Sequence, residues 1–104
     1  MIKLKTANGI EYQLEFDRDS IAYLEKQGFS LDKYATQPMT QIPLLFKGAF
    51  FKHHKFIKDN EVKELFDNVK QKDKLMAALV DMIGESYQAL VEDNDKGNVE
   101  WETV

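Results

Sequence analysis

The chain has 104 residues with a formal net charge of −4, an acidic balance that argues against nucleic-acid binding through phosphate contacts. It contains no cysteine, which excludes disulfides, thiolate nucleophiles and thiolate metal sites. No apolar run approaches the roughly 20 residues of a membrane-spanning helix, and the regular N-terminal alternation is unlike the apolar block of a signal peptide.

A β-hairpin is predicted at the N-terminus. Apolar residues alternate with lysines in residues 2–6 and with Glu and Gln in residues 10–16, which is the period of strands with one wet face. Asn8-Gly9 between them accepts the positive φ angles of a tight turn, and the two polar faces carry opposite charges. Two strands alone are weak, and these carry no proline to block their edges. We therefore predict self-association through the hairpin residues Ile2, Leu4, Ile10, Tyr12 and Leu14.

About four helices are predicted after the hairpin, which gives an α+β fold that is mostly α. The first is capped by Asp17 or Asp19 and ends at Gly28. One further helical turn follows at residues 30–35, and residues 36–39 form a linker. The next helix spans residues 40–57, with Thr40 as its cap and Pro43 in its first turn.

A short helix opened by Asn60 follows, and the last helix spans about residues 73–92. The interior glycine of that last helix, Gly84, is a candidate for a close helix crossing. Residues 1–93 are predicted to form one domain, and residues 94–104 a mobile acidic tail.

The helix at residues 40–57 is the most apolar stretch of the chain. One face is formed by Ile42, Leu45, Phe46, Ala49, Phe50, His53 and Ile57. Leu44 and Phe51 fall off this face, near Lys47, Lys55 and Lys58. Either the whole helix is core, or these five residues form a lysine-rimmed apolar groove that binds an amphipathic partner helix with acidic flanks.

No catalytic, cofactor or metal site is predicted. The adjacent pair His53-His54 would point about 100° apart on a helix, so the two rings cannot easily share a metal ion. The carboxylates are spaced among lysines in the manner of a solvated helix face, and no glycine-rich phosphate loop occurs. These patterns favour a binding protein over an enzyme.

The segments IKLKTANGIEYQLEF, DRDSIAYLEKQGF and IPLLFKGAFFKHHKF, the last leading into DNEVKELFDNV, resemble the small tail assembly chaperones of long-tailed bacteriophages. The resemblance covers roughly residues 2–93 and lies in layout and hydrophobic pattern. It implies a mostly helical, non-catalytic protein that binds the tape measure protein and keeps it soluble in the host cytoplasm, outside the mature virion. It also implies a longer form of the chain, made by ribosomal frameshifting near the end of the gene.

Two functions stay open. The first is this chaperone, and the second is another small phage or prophage protein, such as a structural connector or an inhibitor of a host protein. A transcriptional regulator would need a basic recognition helix, and Lys47, Lys52, Lys55 and Lys58 share theirs with too many phenylalanines. The triplet Lys96-Gly97-Asn98 can be encoded by a slippery heptamer and is the predicted frameshift site.

Overall fold

The computed structural model describes residues 1–92 and 96–103 of the chain. Its strands are β1 (Ile2–Lys5) and β2 (Glu11–Leu14), and its helices are α1 (Arg18–Lys26), α2 (Leu31–Thr36), α3 (Pro38–Gly48), α4 (Asp59–Asn68) and α5 (Lys72–Leu90). The predicted α+β, mostly α fold is confirmed. The structure has one helix more than the four expected, namely α2, which forms where a single helical turn was predicted at residues 30–35.

The hairpin forms with the predicted alternation. β1 and β2 are antiparallel, with Leu4 opposite Tyr12 and Lys5 opposite Glu11. The Gly9 N–H donates to the Thr6 carbonyl at 3.0 Å. Of the turn residues only Gly9 has a positive φ, +88°, so the connection is a three-residue loop ending in a left-handed glycine.

Both ends of α1 follow from local sequence. The Asp17 carboxylate accepts from the Ser20 N–H at 2.8 Å, and the Ser20 hydroxyl accepts from the Asp17 N–H at 2.8 Å, which completes a capping box. At the other end Gly28 has φ +93°, and the Phe29 N–H donates to the Leu24 carbonyl at 2.9 Å. This is the glycine-terminated helix end that the sequence predicts.

The prediction of one helix over residues 40–57 is wrong at both ends. α3 begins at Pro38, so Thr40 is not its cap, Pro43 lies in its interior, and the predicted linker shrinks to Gln37. A proline at the first helical position starts the helix, because its missing N–H would have had no acceptor there anyway.

The helix ends early because its next carbonyl is taken by the hairpin. The Glu15 N–H donates to the Ala49 carbonyl at 3.0 Å, and the Gln13 N–H donates to His54 Nε2 at 2.9 Å. Residues 49–57 therefore form turns, and residues 49–54 of this stretch lie along the outer edge of β2. The sequence interpretation had these residues on a helix, where the Ala49 carbonyl would accept from residue 53.

The core lies between the hairpin, α1, α3 and α5. Its fully buried side chains are large and apolar: Leu14, Leu24, Leu45, Phe46, Phe50, Leu79 and Ile83. Gln41 is also buried, and its amide accepts from the Ser30 N–H at 2.9 Å and donates to the Gly28 carbonyl at 3.3 Å. α3 is thereby joined to the α1–α2 connection by polar as well as apolar contacts.

A close helix crossing exists, but at a different glycine from the one predicted. A Cβ on Gly84 would meet no atom within 4 Å, whereas a Cβ on Gly48 would lie 2.5 Å from Leu24 Cδ2. The crossing is that of α3 over α1. The sequence suggested Gly84 because it lies inside a long apolar stripe, but the surface of α5 beside it is open.

The predicted domain boundary at residue 93 lies outside the described residues, as do positions 94, 95 and 104 of the predicted tail. In the described part of the tail, Val99 and Trp101 are 87 % and 86 % exposed. No helix in the described ranges is long and apolar enough to cross a bilayer.

Candidate protein-binding surfaces

The structure brings together part of the predicted partner groove. The Phe51 ring stacks on the Tyr23 ring of α1, with centroids 4.8 Å apart and planes 20° apart. Lys55 Nζ lies over the Phe51 ring, 5.3 Å from its centroid. We call Tyr23, Lys47, Phe51 and Lys55 the aromatic–lysine surface. Phe51 is half-buried, so it is neither a full core residue nor a free one.

Lys47 lies at the border of this surface. It makes an ion pair with Asp59, and its hydrogen bond to that carboxylate raises the pKa of Lys47 above its ordinary value. Tyr23 contributes to the same upward shift of the Lys47 pKa. The ion pair therefore joins Lys47 of α3 to Asp59 at the start of α4.

The other two predicted groove residues serve different purposes. Leu44 is half-buried and packs against the core. Lys58 is exposed and is the N-cap of α4, with an extended backbone. Tyr23 was the residue that sequence reasoning missed in this role. Its position on the apolar side of α1 was the available signal.

At the two ends of α3, two large apolar side chains stand almost fully in solvent. Phe56 is 91 % exposed in the turn that follows Lys55, and Met39 is 87 % exposed in the first turn of α3. Phe56 had been expected to share a helix with Phe46 and Phe50. Because α3 ends at Gly48, the turn instead presents Phe56 beside the exposed Lys55 and Lys58.

The five residues predicted for self-association divide by burial. Leu4 and Leu14 are buried, while Ile2 and Tyr12 are partly buried against the core. Only Ile10 is exposed, at 48 %. The inner face of the hairpin is therefore largely covered by its own chain, and Tyr12 packs edge-on against Phe50 at 5.6 Å and His54 at 5.2 Å.

Glu15 gathers a small ionic cluster at the end of β2. Its Oε2 lies 2.8 Å from His53 Nε2 and 3.2 Å from Lys52 Nζ. The hydrogen bonds from His53 and Lys52 lower the pKa of the Glu15 carboxyl below its ordinary value. The cluster fastens the turn after α3 to the hairpin.

The neighbouring histidine is held in its neutral form. His54 Nε2 accepts the Gln13 N–H, and burial, followed by the charge of His53, lowers the pKa of His54. The two imidazoles thus serve separate contacts. Within residues 1–92 and 96–103 no three His, Cys, Asp or Glu side chains are grouped so that they could hold a metal ion.

A groove of about 770 Å³ lies beside the outer edge of β1. Its walls are residues 2–7 on one side and the α4–α5 connection with the start of α5 on the other. Lys3, Lys5, Lys70 and Lys74 line it, and no carboxylate does. We call it the β1 groove. Sequence reasoning missed it because its two walls are far apart along the chain.

Comparison with known proteins gives a family but no function. Neither a curated protein nor a solved structure matches the chain. The family described as Domain of unknown function (DUF5055) matches residues 1–104. Since this match spans every residue of the sequence, the chain belongs to the DUF5055 family.

Proposed function

We propose that this protein is a bacteriophage tail assembly chaperone that binds the helical tape measure protein and keeps it soluble while the tail tube assembles. The resemblance in layout, from hairpin through aromatic-rich helix to long last helix, supports this assignment. A long amphipathic helical protein exposes apolar stripes that aggregate, and a small helical protein can cover them reversibly.

The single observation that carries the proposal is the exposure of the Phe56 side chain. A phenylalanine that is 91 % exposed gains about 2–3 kcal/mol when a partner buries it, which favours a binding role at that position. Lys55 and Lys58 flank it in sequence, and Lys55 also belongs to the aromatic–lysine surface. A partner helix with an apolar stripe and acidic flanks fits this combination.

The test is co-expression with the long helical protein encoded downstream, followed by affinity capture. Phe56→Glu removes the exposed aromatic and adds a repelling charge, so we expect capture of the partner to be lost. The melting temperature should stay unchanged, because the side chain has almost no contacts to lose. Unchanged capture by this variant refutes the assignment of Phe56 as the contact.

Met39→Glu is the matched control. Met39 is exposed to a similar degree, but it lies in the first turn of α3, at the opposite end of that helix from the turn carrying Phe56. We expect it to retain capture. Phe51→Glu is a poorer probe, because it also breaks the stack on Tyr23 and lowers stability.

The proposal includes a cytoplasmic location in the host, absence from the mature virion and a longer form of the chain. Lys96-Gly97-Asn98 encoded as AAG-GGA-AAC contains the heptamer G GGA AAC, on which both transfer RNAs can re-pair after slipping back by one base. The gene sequence decides this point, since another codon for Gly97 removes the heptamer. With the heptamer present, we expect mass spectrometry of infected cells to detect a protein that diverges after about Asn98.

Gene order tests the function independently of any residue. A chaperone gene should lie between a major tail protein gene and a very long tape measure gene. A position among genes unrelated to tail assembly contradicts the proposal.

A further inference from the structure

The sheet has one covered edge and one open edge. The outward N–H groups of Gln13 in β2 and of Glu15, the residue after β2, donate to His54 and Ala49, so this edge is occupied by the turn after α3. β1 pairs only with β2 among the described residues. Lys3 lies opposite Gln13, and Lys5 lies opposite Glu11. In an antiparallel ladder the two residues of such a pair both point their N–H and C=O groups away from each other, so those of Lys3 and Lys5 point out from the free edge of β1. The open edge of β1 can therefore accept one more strand.

The β1 groove continues this edge. Its apolar wall is formed by Ile2, Leu65, Val69 and Leu75. The lysines around it make this region locally basic in a chain whose net charge is −4. An extended segment with apolar side chains on one face and carboxylates on the other would match both features.

The C-terminal tail contains such a segment. In residues 98–103 the apolar Val99 and Trp101 alternate with Glu100 and Glu102, which is the period of a strand. Both apolar side chains are more than four-fifths exposed, and the segment belongs to no helix or strand. It is an unpaired strand sequence with its apolar face in water.

We propose that residues 98–103 of a second copy add as a strand to the open edge of β1, with Val99 and Trp101 entering the β1 groove. Lys3 and Lys5 alternate with Ile2 and Leu4 along β1, at the same two-residue spacing as the tail. If the tail pairs with β1 so that Glu100 and Glu102 lie beside Lys3 and Lys5, then Val99 and Trp101 lie on the other face of the sheet, with Ile2 and Leu4.

A second copy fits better than the chain's own tail because of distance. The groove lies at the start of α5, where Lys74 and Leu75 line it, and the tail leaves from Leu90. Fifteen residues of helix span about 22 Å at 1.5 Å each. The eight residues from Leu90 to Asn98 extend at most about 26 to 29 Å, which leaves little length for reversing direction and crossing to β1. Reciprocal exchange of two tails closes a symmetric dimer.

Trp101 makes the test direct, because it is the only tryptophan of the chain. We expect the sedimentation coefficient to rise with protein concentration in the micromolar range, and the Trp101 fluorescence to shift to shorter wavelength over the same range. A chain that stays monomeric at high micromolar concentration overturns the proposal. So does a buried Trp101 in the monomer, since that would mean the tail folds back on its own groove.

A charge exchange identifies the contact. Glu100→Lys with Glu102→Lys should weaken the dimer at least about tenfold, because like charges then face each other across the pair. Both residues are exposed, so a normal thermal melt is expected for this variant. A dimer of unchanged affinity in this variant means that another surface associates, and the proposal is then wrong.

The complementary variant is Lys3→Glu with Lys5→Glu. Alone it should also be monomeric, because the edge of β1 and the tail then both carry carboxylates. Mixed in equal amounts with the tail variant it should form a heterodimer, since the edge of β1 in each chain then meets a tail of opposite charge. If both variants fold and no heterodimer forms, strand exchange at β1 is refuted.

Discussion

The contact between Gly48 and Leu24 determines what a single methyl group does to this fold. In Gly48→Ala the new Cβ would lie 2.5, 2.6 and 2.7 Å from three carbons of Leu24, whose side chain is fully buried. Non-bonded carbons prefer about 3.5 to 4.0 Å, so the two helices must separate or Leu24 must change rotamer. Leu24 has little freedom to do so, because the close atoms include Cγ and not only its methyl ends.

Two effects of this substitution oppose each other. Alanine is favoured over glycine by about 1 kcal/mol in a helix interior, and by less at Gly48, which is the last residue of α3. Overpacking a filled core costs about 1 to 3 kcal/mol. With three contacts below 3.0 Å we expect the upper part of that range, and therefore a net loss of about 1 to 2 kcal/mol in the free energy of unfolding.

Gly84→Ala is the control, because Gly84 is also a helical glycine but has open space at its Cβ position. It should stabilise the protein by about 1 kcal/mol, so the two variants should differ by about 2 to 3 kcal/mol. Urea denaturation followed by circular dichroism at the helical band measures both. Equal effects of the two substitutions would refute the close approach of α3 and α1.

Three further outcomes are expected. Asp17→Ala should lower the free energy of unfolding by about 1 kcal/mol, because it removes the cap of α1. Asp19→Ala is the control, since Asp19 does not cap the helix, and urea denaturation measures both variants. Gln41→Ala should cost about 1 to 3 kcal/mol, because it removes the two hydrogen bonds that the Gln41 amide makes with the Ser30 N–H and the Gly28 carbonyl. A melt that matches wild type contradicts this. The pKa of His54 is lower in the folded protein than in the unfolded chain, so the unfolded chain binds a proton more readily. The free energy of unfolding should therefore fall as the pH drops from about 6.5 towards the folded pKa. In urea titrations at several pH values, His54→Gln should reduce this dependence on pH.

The parts of the fold that the sequence predicted are those set by neighbours in the chain. The hairpin needed only its alternation and Gly9, and α1 needed only Asp17, Ser20 and Gly28. Each signal acts within about five residues, and each has one dominant physical outcome.

The end of α3 was not predictable in this way. It depends on Glu15 donating to Ala49 across 34 positions of sequence and on Gly48 meeting Leu24. The periodicity of residues 40–57 is helical throughout, so the pattern alone favours one helix. The tertiary hydrogen bond overrides it.

The candidate surfaces divide along the same line. Phe51 and Lys55 were placed together because they are four residues apart, and they do meet, although in a turn and not in a helix. Their partner Tyr23 comes from another helix, and the β1 groove forms only where β1 meets the α4–α5 connection. Neither pairing has a local signature in the sequence.

The docking of residues 49–54 along β2 separates two kinds of backbone opening that hydrogen exchange can distinguish. The N–H groups of Gln13 and Glu15 are protected by His54 and Ala49, whereas the alternate N–H groups of β2 face β1. Amide exchange at positions 13 and 15 therefore reports how often the turn after α3 lifts away, and exchange at positions 12 and 14 reports how often the hairpin itself opens. Alternating amide positions along this one segment thus report the local stability of two different contacts, one with the turn after α3 and one with β1.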